Sequence, residues 1–390
     1  MNERPLHLRS APLHRALTLG CTALLLGNAT ATLAQQTRSA EPFLLGVITV
    51  VGQRPQKASI ESVGDGQITT ILDSEELRRF NRDDVASALN LVPGVTLSTN
   101  SRNETMISVR GFDSRQVPLF IDGIPVYVPY DGYVDFTRFT TADLAAIQVD
   151  KGFSSVGFGP NTLGGAINLI SRKPVESFEG DVTVGSGSGA ERKAAINVGT
   201  NQGLWYLQAG ASRIRADGFP LSDDFRPTAT ENGGRRDNAR REDSKLSLKL
   251  GLTPNATDEY AISYYRQEGE KGQPPSTDPA AARYWRWPYW DKESVYFISN
   301  TALGENEFLR IRLYHDSFDN EVNSYTDNSY SMLKTSGRGS VGTGRSIYDM
   351  TTPRMGVRSR SNRFASHTTR CVSPLTTSVT STGKPTRTAG

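Results

Sequence analysis

Cysteine is almost missing from this 390-residue sequence, with Cys21 and Cys371 the only two. Cys21 lies in the leader-like start described below, so an internal disulfide is not expected and stability has to come from elsewhere. Histidine is equally scarce. His7, His14, His315 and His367 stand far apart, and no pair has the spacing of a metal site. No Ser-His-Asp or paired-carboxylate constellation stands out, so neither a catalytic residue nor a cofactor is nominated and an enzyme is not expected. The stretch GSGSG at 185–189 has no lysine-serine pair or helix start after it, which argues for a hairpin turn over a phosphate loop. An excess of charge is lacking too. Without the first 34 and last 41 residues the balance of +3 becomes −6, which gives no reason to expect nucleic-acid binding.

The one long apolar run, residues 16–27, is too short to span a bilayer as a helix. It follows Arg4, Arg9 and Arg15 and precedes Thr32-Leu33-Ala34, the pattern of an export signal over residues 1–34. Residues 35–59 are polar and expected to be flexible, apart from the β-prone run Val47-Ile48-Thr49-Val50-Val51-Gly52. Such a run suits strand addition to a partner's sheet edge or the first strand of the next domain, and composition does not separate the two.

Residues 60–174 read as a compact α+β domain. Asp73 with Glu76, and Asn81 with Asp84, resemble helix starts. Val85, Ala88, Leu89 and Val92 form one apolar helical face, ended by Pro93-Gly94. Strands are expected at 95–98 and 105–109, a short helix capped by Thr141 up to Ala146, and a strand at 147–150. Asp122-Gly123 suits a type I′ turn between Leu119-Phe120-Ile121 and Ile124-Pro125-Val126.

Beyond Pro174 the pattern alternates. Leu246, Leu248, Leu250 and Leu252 interleave with Ser247, Lys249 and Gly251, and similar runs recur at 181–186, 193–200, 204–212, 260–264, 294–302 and 309–313. One apolar and one polar face fits an outer-membrane barrel; a soluble antiparallel sheet would show the same alternation. Residues 216–243 read as an exposed loop. Tyr284, Trp285, Trp287, Tyr289 and Trp290 suit an interfacial girdle or a ligand-facing loop.

Four segments in order resemble the TonB-dependent outer-membrane receptors: Val109-Arg110-Gly111-Phe112, then Leu119 through Val126, then LAAIQVDKG at 144–152, then GPNTLGGAINLI at 159–170. The resemblance implies a plug domain at 60–174 followed by antiparallel transmembrane strands of a 22-stranded barrel, of which residues 178–350 are the N-terminal part. It also implies an outer-membrane location in a Gram-negative bacterium and a scarce small-molecule cargo, a ferric siderophore being the commonest. The energy-transducing protein TonB would be the partner, gripping a TonB box assigned to Ile48, Thr49, Val50, Val51 and Gly52. Gly111, Gly152, Gly164 and Gly165 would let the plug backbone turn tightly or pack closely, beside the turn pair Asp122 and Gly123. Arg110 would pair with a barrel carboxylate. The gap from Gln35 to Asp73 leaves no room for a signalling domain.

Twenty-two strands of about ten residues need roughly 220 residues, more than residues 178–350 provide. Residues 351–390 contain no acid and show no alternation. They are expected to be an atypical tail translated out of frame on a truncated receptor, a genuine disordered tail being the alternative. An exported fragment that binds ligand or TonB without transport is the alternative function.

Overall fold

A computed structural model describes residues 69–100, 102–126, 132–152, 158, 162–304, 307–334, 350–351 and 354–359. The export signal and the TonB box, Ile48 to Gly52 included, lie outside them, as do most of the tail and Gly159.

The first half builds from short elements. Strand β1, Thr69–Asp73, runs into helix α1, Ser74–Arg79. Asp73 caps that helix by accepting from the Glu75 and Glu76 amides, and Glu75 and Glu76 place negative charge in the first turn, where the helix dipole favours it. Helix α2, Val85–Leu89, is capped by Asp84. The Asn81 start expected from sequence does not form, because Asn81 sits at φ +50 as a link between the helices. The expected apolar face is buried throughout, with Val85, Ala88 and Leu89 fully enclosed and Val92 nearly so.

Strands β2 (Val95–Thr99), β3 (Thr105–Val109) and β4 (Phe112–Asp113) make a small antiparallel sheet. A second sheet joins β5 (Leu119–Ile121), β6 (Ile124–Pro125), β7 (Leu144–Lys151) and β8 (Gly165–Ser171) in the order β1-β7-β8-β5-β6. The helix expected after Thr141 is absent. From Leu144 on the chain pairs with β1 on one side and β8 on the other, and this two-sided pairing overrides local helix propensity. The Thr141 hydroxyl donates to the Arg82 carbonyl at 2.5 Å instead.

Seven long strands follow as an antiparallel meander: β9 (Glu179–Gly187), β10 (Glu191–Asn201), β11 (Trp205–Ala216), β12 (Arg241–Leu252), β13 (Glu259–Gly272), β14 (Tyr284–Ala302) and β15 (Glu307–Tyr325). Two short strands, β16 (Met350–Thr351) and β17 (Arg354–Ser359), pair with β15, so regular pairing continues past residue 350, where the sequence suggested none. From β9 to β16 each strand pairs with its sequence neighbour, β17 pairs with β15, and the described sheet does not close.

Connections at one end are short: β10 to β11, β12 to β13 and β14 to β15 turn over three to six residues. At the other end β9 to β10 uses three, but β11 to β12 and β13 to β14 use 24 and 11. Short turns at one end and long loops at the other are the habit of outer-membrane barrels. The faces divide equally sharply on β12, where Leu246, Leu248, Leu250 and Leu252 are exposed and Lys245 and Lys249 buried. Here the polar residues face the first domain and the leucines face out, the reverse of a soluble sheet. No helix among the described residues is long and apolar enough to cross a membrane.

Candidate functional site

The inner face of the strands and the first domain share one core. Tyr206, Tyr265, Trp290, Tyr296, Tyr314 and Phe318 pack with Leu119, Ile121, Phe136, Phe139 and Ile147. Trp290 meets the Phe139 ring edge-on at 6.0 Å and lies 5.6 Å from the Arg138 guanidinium. Trp287 is buried beside Lys271. The aromatic run at 284–290 is therefore not wholly a girdle or a loop, since two of its tryptophans turn inward.

Across this core runs a line of charges. Asp122 and Gly123 hold φ of +51 and +76, as a type I′ turn requires. The turn leaves the Asp122 carboxylate free to accept from the Ser171 amide at 2.8 Å, the Ser171 hydroxyl at 2.6 Å and the Tyr296 hydroxyl at 2.7 Å, with the Lys249 ammonium at 3.1 Å. Gly123 donates its amide to Asn168 at 2.8 Å. Burial alone would raise the Asp122 carboxyl; Lys249 and the Ser171 and Tyr296 donors outweigh it and hold it below its usual range.

The same arrangement recurs three times. Asp143 takes Lys245 at 2.8 Å. Asp83 takes Lys193 at 2.5 Å, and Asn81 shares that ammonium at 2.7 Å. Asp135 takes Lys271 at 2.5 Å and caps its own 3-10 turn (Phe136–Arg138) through Thr137, while Lys271 also donates to the Asn103 carbonyl at 2.8 Å. Burial opposes the Asp135 charge, but Lys271 and Arg138 prevail and hold its carboxyl at about 2. Asp84 is the exception. Burial pushes its carboxyl up, and Arg241 at 3.8 Å offsets only part of that. Three pairs run the other way, Arg138 to Asp243 at 3.0 Å, Lys173 to Glu259 at 2.6 Å, and Arg172 to Asp181.

The site is thus a seam of acids on the first domain facing lysines on the strands. Alone, each buried charge would be costly; paired, the set fixes one orientation of the two surfaces.

Arg110 is not in this seam. It is exposed at φ +51, with Lys151 as its charged neighbour, and makes no ion pair with a strand carboxylate among the described residues. Gly111 and Gly152 sit at φ +87 and +98 beside open space. Gly164 is tightly packed, with an added Cβ falling 2.3 Å from that of Phe112. Gly165, at φ +130, lies so close to β7 that a Cβ would come within 1.9 Å of the Asp150 carbonyl oxygen. Of the site residues nominated from sequence, only Asp122 joins the seam; Asn81, read as a helix start, and Lys249, read as part of an alternation, also lie in it. Asp83, Asp135, Asp143, Lys193, Lys245 and Lys271 were passed over, although lysines at the non-leucine positions of β12 were the available signal.

A small α+β domain seated by buried ion pairs on the polar face of barrel-type strands is the arrangement of a plug against part of a barrel wall. Residues 65–166 match the TonB-dependent Receptor Plug Domain. The chain is 27% identical over 161 residues to the vitamin B12 transporter BtuB of Vibrio vulnificus, covering 40% of this chain and 26% of that protein. It is 25% identical over 186 residues to the ferripyoverdine receptor of Pseudomonas aeruginosa, covering 47% and 21%. The ferric yersiniabactin uptake receptor FyuA of Yersinia pestis shares the fold with a TM-score of 0.58 at 14% identity, over 76% of this chain and 46% of that one. The chain has the plug and the first barrel strands of a TonB-dependent receptor, and its matches span about a quarter of the curated relatives and under half of the solved receptor.

Proposed function

We propose that the protein is an outer-membrane receptor in which TonB drives uptake of a scarce chelate, a ferric siderophore, past the plug. The observation that carries this reading is the seam of Asp83, Asp122, Asp135 and Asp143 on Lys193, Lys249, Lys271 and Lys245. Buried ion pairs add little net stability over apolar packing, yet breaking one is costly. They suit a plug that must sit in one orientation against the strands and reseat there after displacement.

The route for the force follows from topology. Ile48, Thr49, Val50, Val51 and Gly52 are the proposed TonB box, a β-prone run able to add to a sheet edge of TonB. A pull on it reaches the plug at Thr69, the start of β1. Among the described residues that strand is an edge of its sheet and pairs only with β7, and Thr69 donates its hydroxyl to Asp150 at 2.7 Å. Work done at the box therefore acts first on an edge strand. Two of the three relatives are named for iron chelates, which supports that cargo.

The test is accumulation of labelled ferric siderophore by iron-starved cells carrying the receptor. Uptake is expected to require TonB and to be abolished by Val50→Pro, which removes a backbone donor from the box, with surface binding retained. Uptake that persists without TonB would sink the proposal.

A further inference from the structure

The outer face of the strands carries a cluster of arginines with no part in the seam. On β10, Lys193 and Asn197 turn inward to the plug, so Arg192, Ala194, Ile196 and Val198 face out. On β11, Tyr206, Gln208 and Ile214 are buried, so Arg213 and Arg215 face out. Arg192 is the direct cross-strand partner of Arg215, with Arg213 on the diagonal. Like charges set opposite one another destabilise a sheet.

The carboxylates nearby do not neutralise the cluster. Glu242 stands directly opposite Arg215 and is shared between Arg213 and Arg240, Glu270 also binds Arg240, and Asp217 lies 3.4 Å from both Arg215 and Arg235, so three carboxylates serve five arginines, Arg192 included. Arg192 has no carboxylate within salt-bridge distance among the described residues. The position is informative as well. The cluster lies at the long-loop end of the apolar belt, beside Val184, Ile196 and Leu246, all exposed. Below it, Ala211 and Ala209 on β11 stand between Ile196 and Val198 on β10 and Leu246 and Leu248 on β12, leaving a trough one strand wide.

We propose that Arg192, Arg213 and Arg215 bind the phosphate headgroup of a membrane lipid whose acyl chain lies along β11. A phosphomonoester would take two or more guanidinium groups at once and offset their repulsion. The lipid belongs to the leaflet on the long-loop side. This rests on the receptor reading above, because the arginines meet a headgroup only when the belt is in a bilayer.

The test uses the receptor reconstituted in phosphatidylcholine vesicles containing either phosphatidic acid or diacylglycerol, with lipid retained after detergent extraction counted by native mass spectrometry. Phosphatidic acid is expected to be retained and diacylglycerol not. Retention should weaken about fivefold for each arginine removed in Arg192→Ala and Arg215→Ala. Arg266→Ala, an outward arginine paired with Glu268 at 2.6 Å, should change nothing. Equal retention of both lipids, or unchanged retention in the variants, would overturn the proposal, as would inorganic phosphate binding at the cluster with no lipid held. Resistance to carbonate extraction is read on the same samples. Failure of the unaltered protein to insert would overturn the receptor reading and this site with it, whereas insertion without selectivity would overturn only the site.

Discussion

Asp122 carries two loads at once. Its backbone takes the left-handed conformation that the hairpin needs, and its carboxylate gathers Ser171, Tyr296 and Lys249. Asp122→Ala would strand the Lys249 ammonium in a buried site, and breaking such a pair costs about 3–5 kcal/mol. The expected outcome is a plug that becomes trypsin-sensitive at a lower urea concentration. Asp122→Asn tests the division of labour, since asparagine tolerates the turn but loses the charge. It should fall between alanine and the unaltered protein. Gly165 is constrained differently. Gly165→Ala meets both an unfavourable φ and the Asp150 carbonyl, so about 2 kcal/mol or more should be lost in the same assay. An effect no larger than that of Gly152→Ala, whose Cβ would enter open space, would contradict the close approach of β8 to β7.

Between elements, the seam should respond to acid, with a sign set by its carboxylates. Asp135 is held at about 2, below an unfolded value near 3.9. Its contribution is complete above about pH 4 and is lost as pH falls toward 2, an effect of about 2 kcal/mol. Asp122 is lowered and acts in the same direction. Asp84 is raised and acts oppositely, so protonation in folded plug favours the folded form as pH falls through its raised value. With both lowered carboxyls pulling one way, the plug is expected to loosen between pH 4 and 2, followed by Trp290 fluorescence. Asp135→Asn should flatten that transition. The elements themselves were largely readable in sequence. The hairpin at Asp122-Gly123 and the leucine alternation of β12 are local signals, and both recur in the structure. The ion pairs are not local: Asp135 and Lys271 lie 136 residues apart, and only the docking of plug on strands joins them. For the same reason Thr141 looked like a helix start. Its true environment depends on β1 and β8, which sequence spacing does not display.

On the scale of the whole molecule, the question is whether the plug must part from the strands for anything to pass. Thr140 on the plug and Ser212 on β11 place their hydroxyls 3.1 Å apart. The two side chains point at one another, so cysteines at these positions are the pair to cross-link, by a disulfide or by a short dithiol-bridging reagent. With Cys371 replaced by serine, the Thr140→Cys, Ser212→Cys receptor should staple plug to wall under oxidation. If the seam opens between Thr140 and β11 during transport, the staple stops uptake, leaves surface binding intact, and reductant restores uptake in full. Each ion pair of the seam is reversible in water and none is covalent, so only the staple should resist the pull that enters at Thr69. Undiminished uptake in the oxidised receptor would place the moving part elsewhere, in the sheet of β2 to β4 and the exposed Arg110 turn, which have no ion pair to the strands among the described residues.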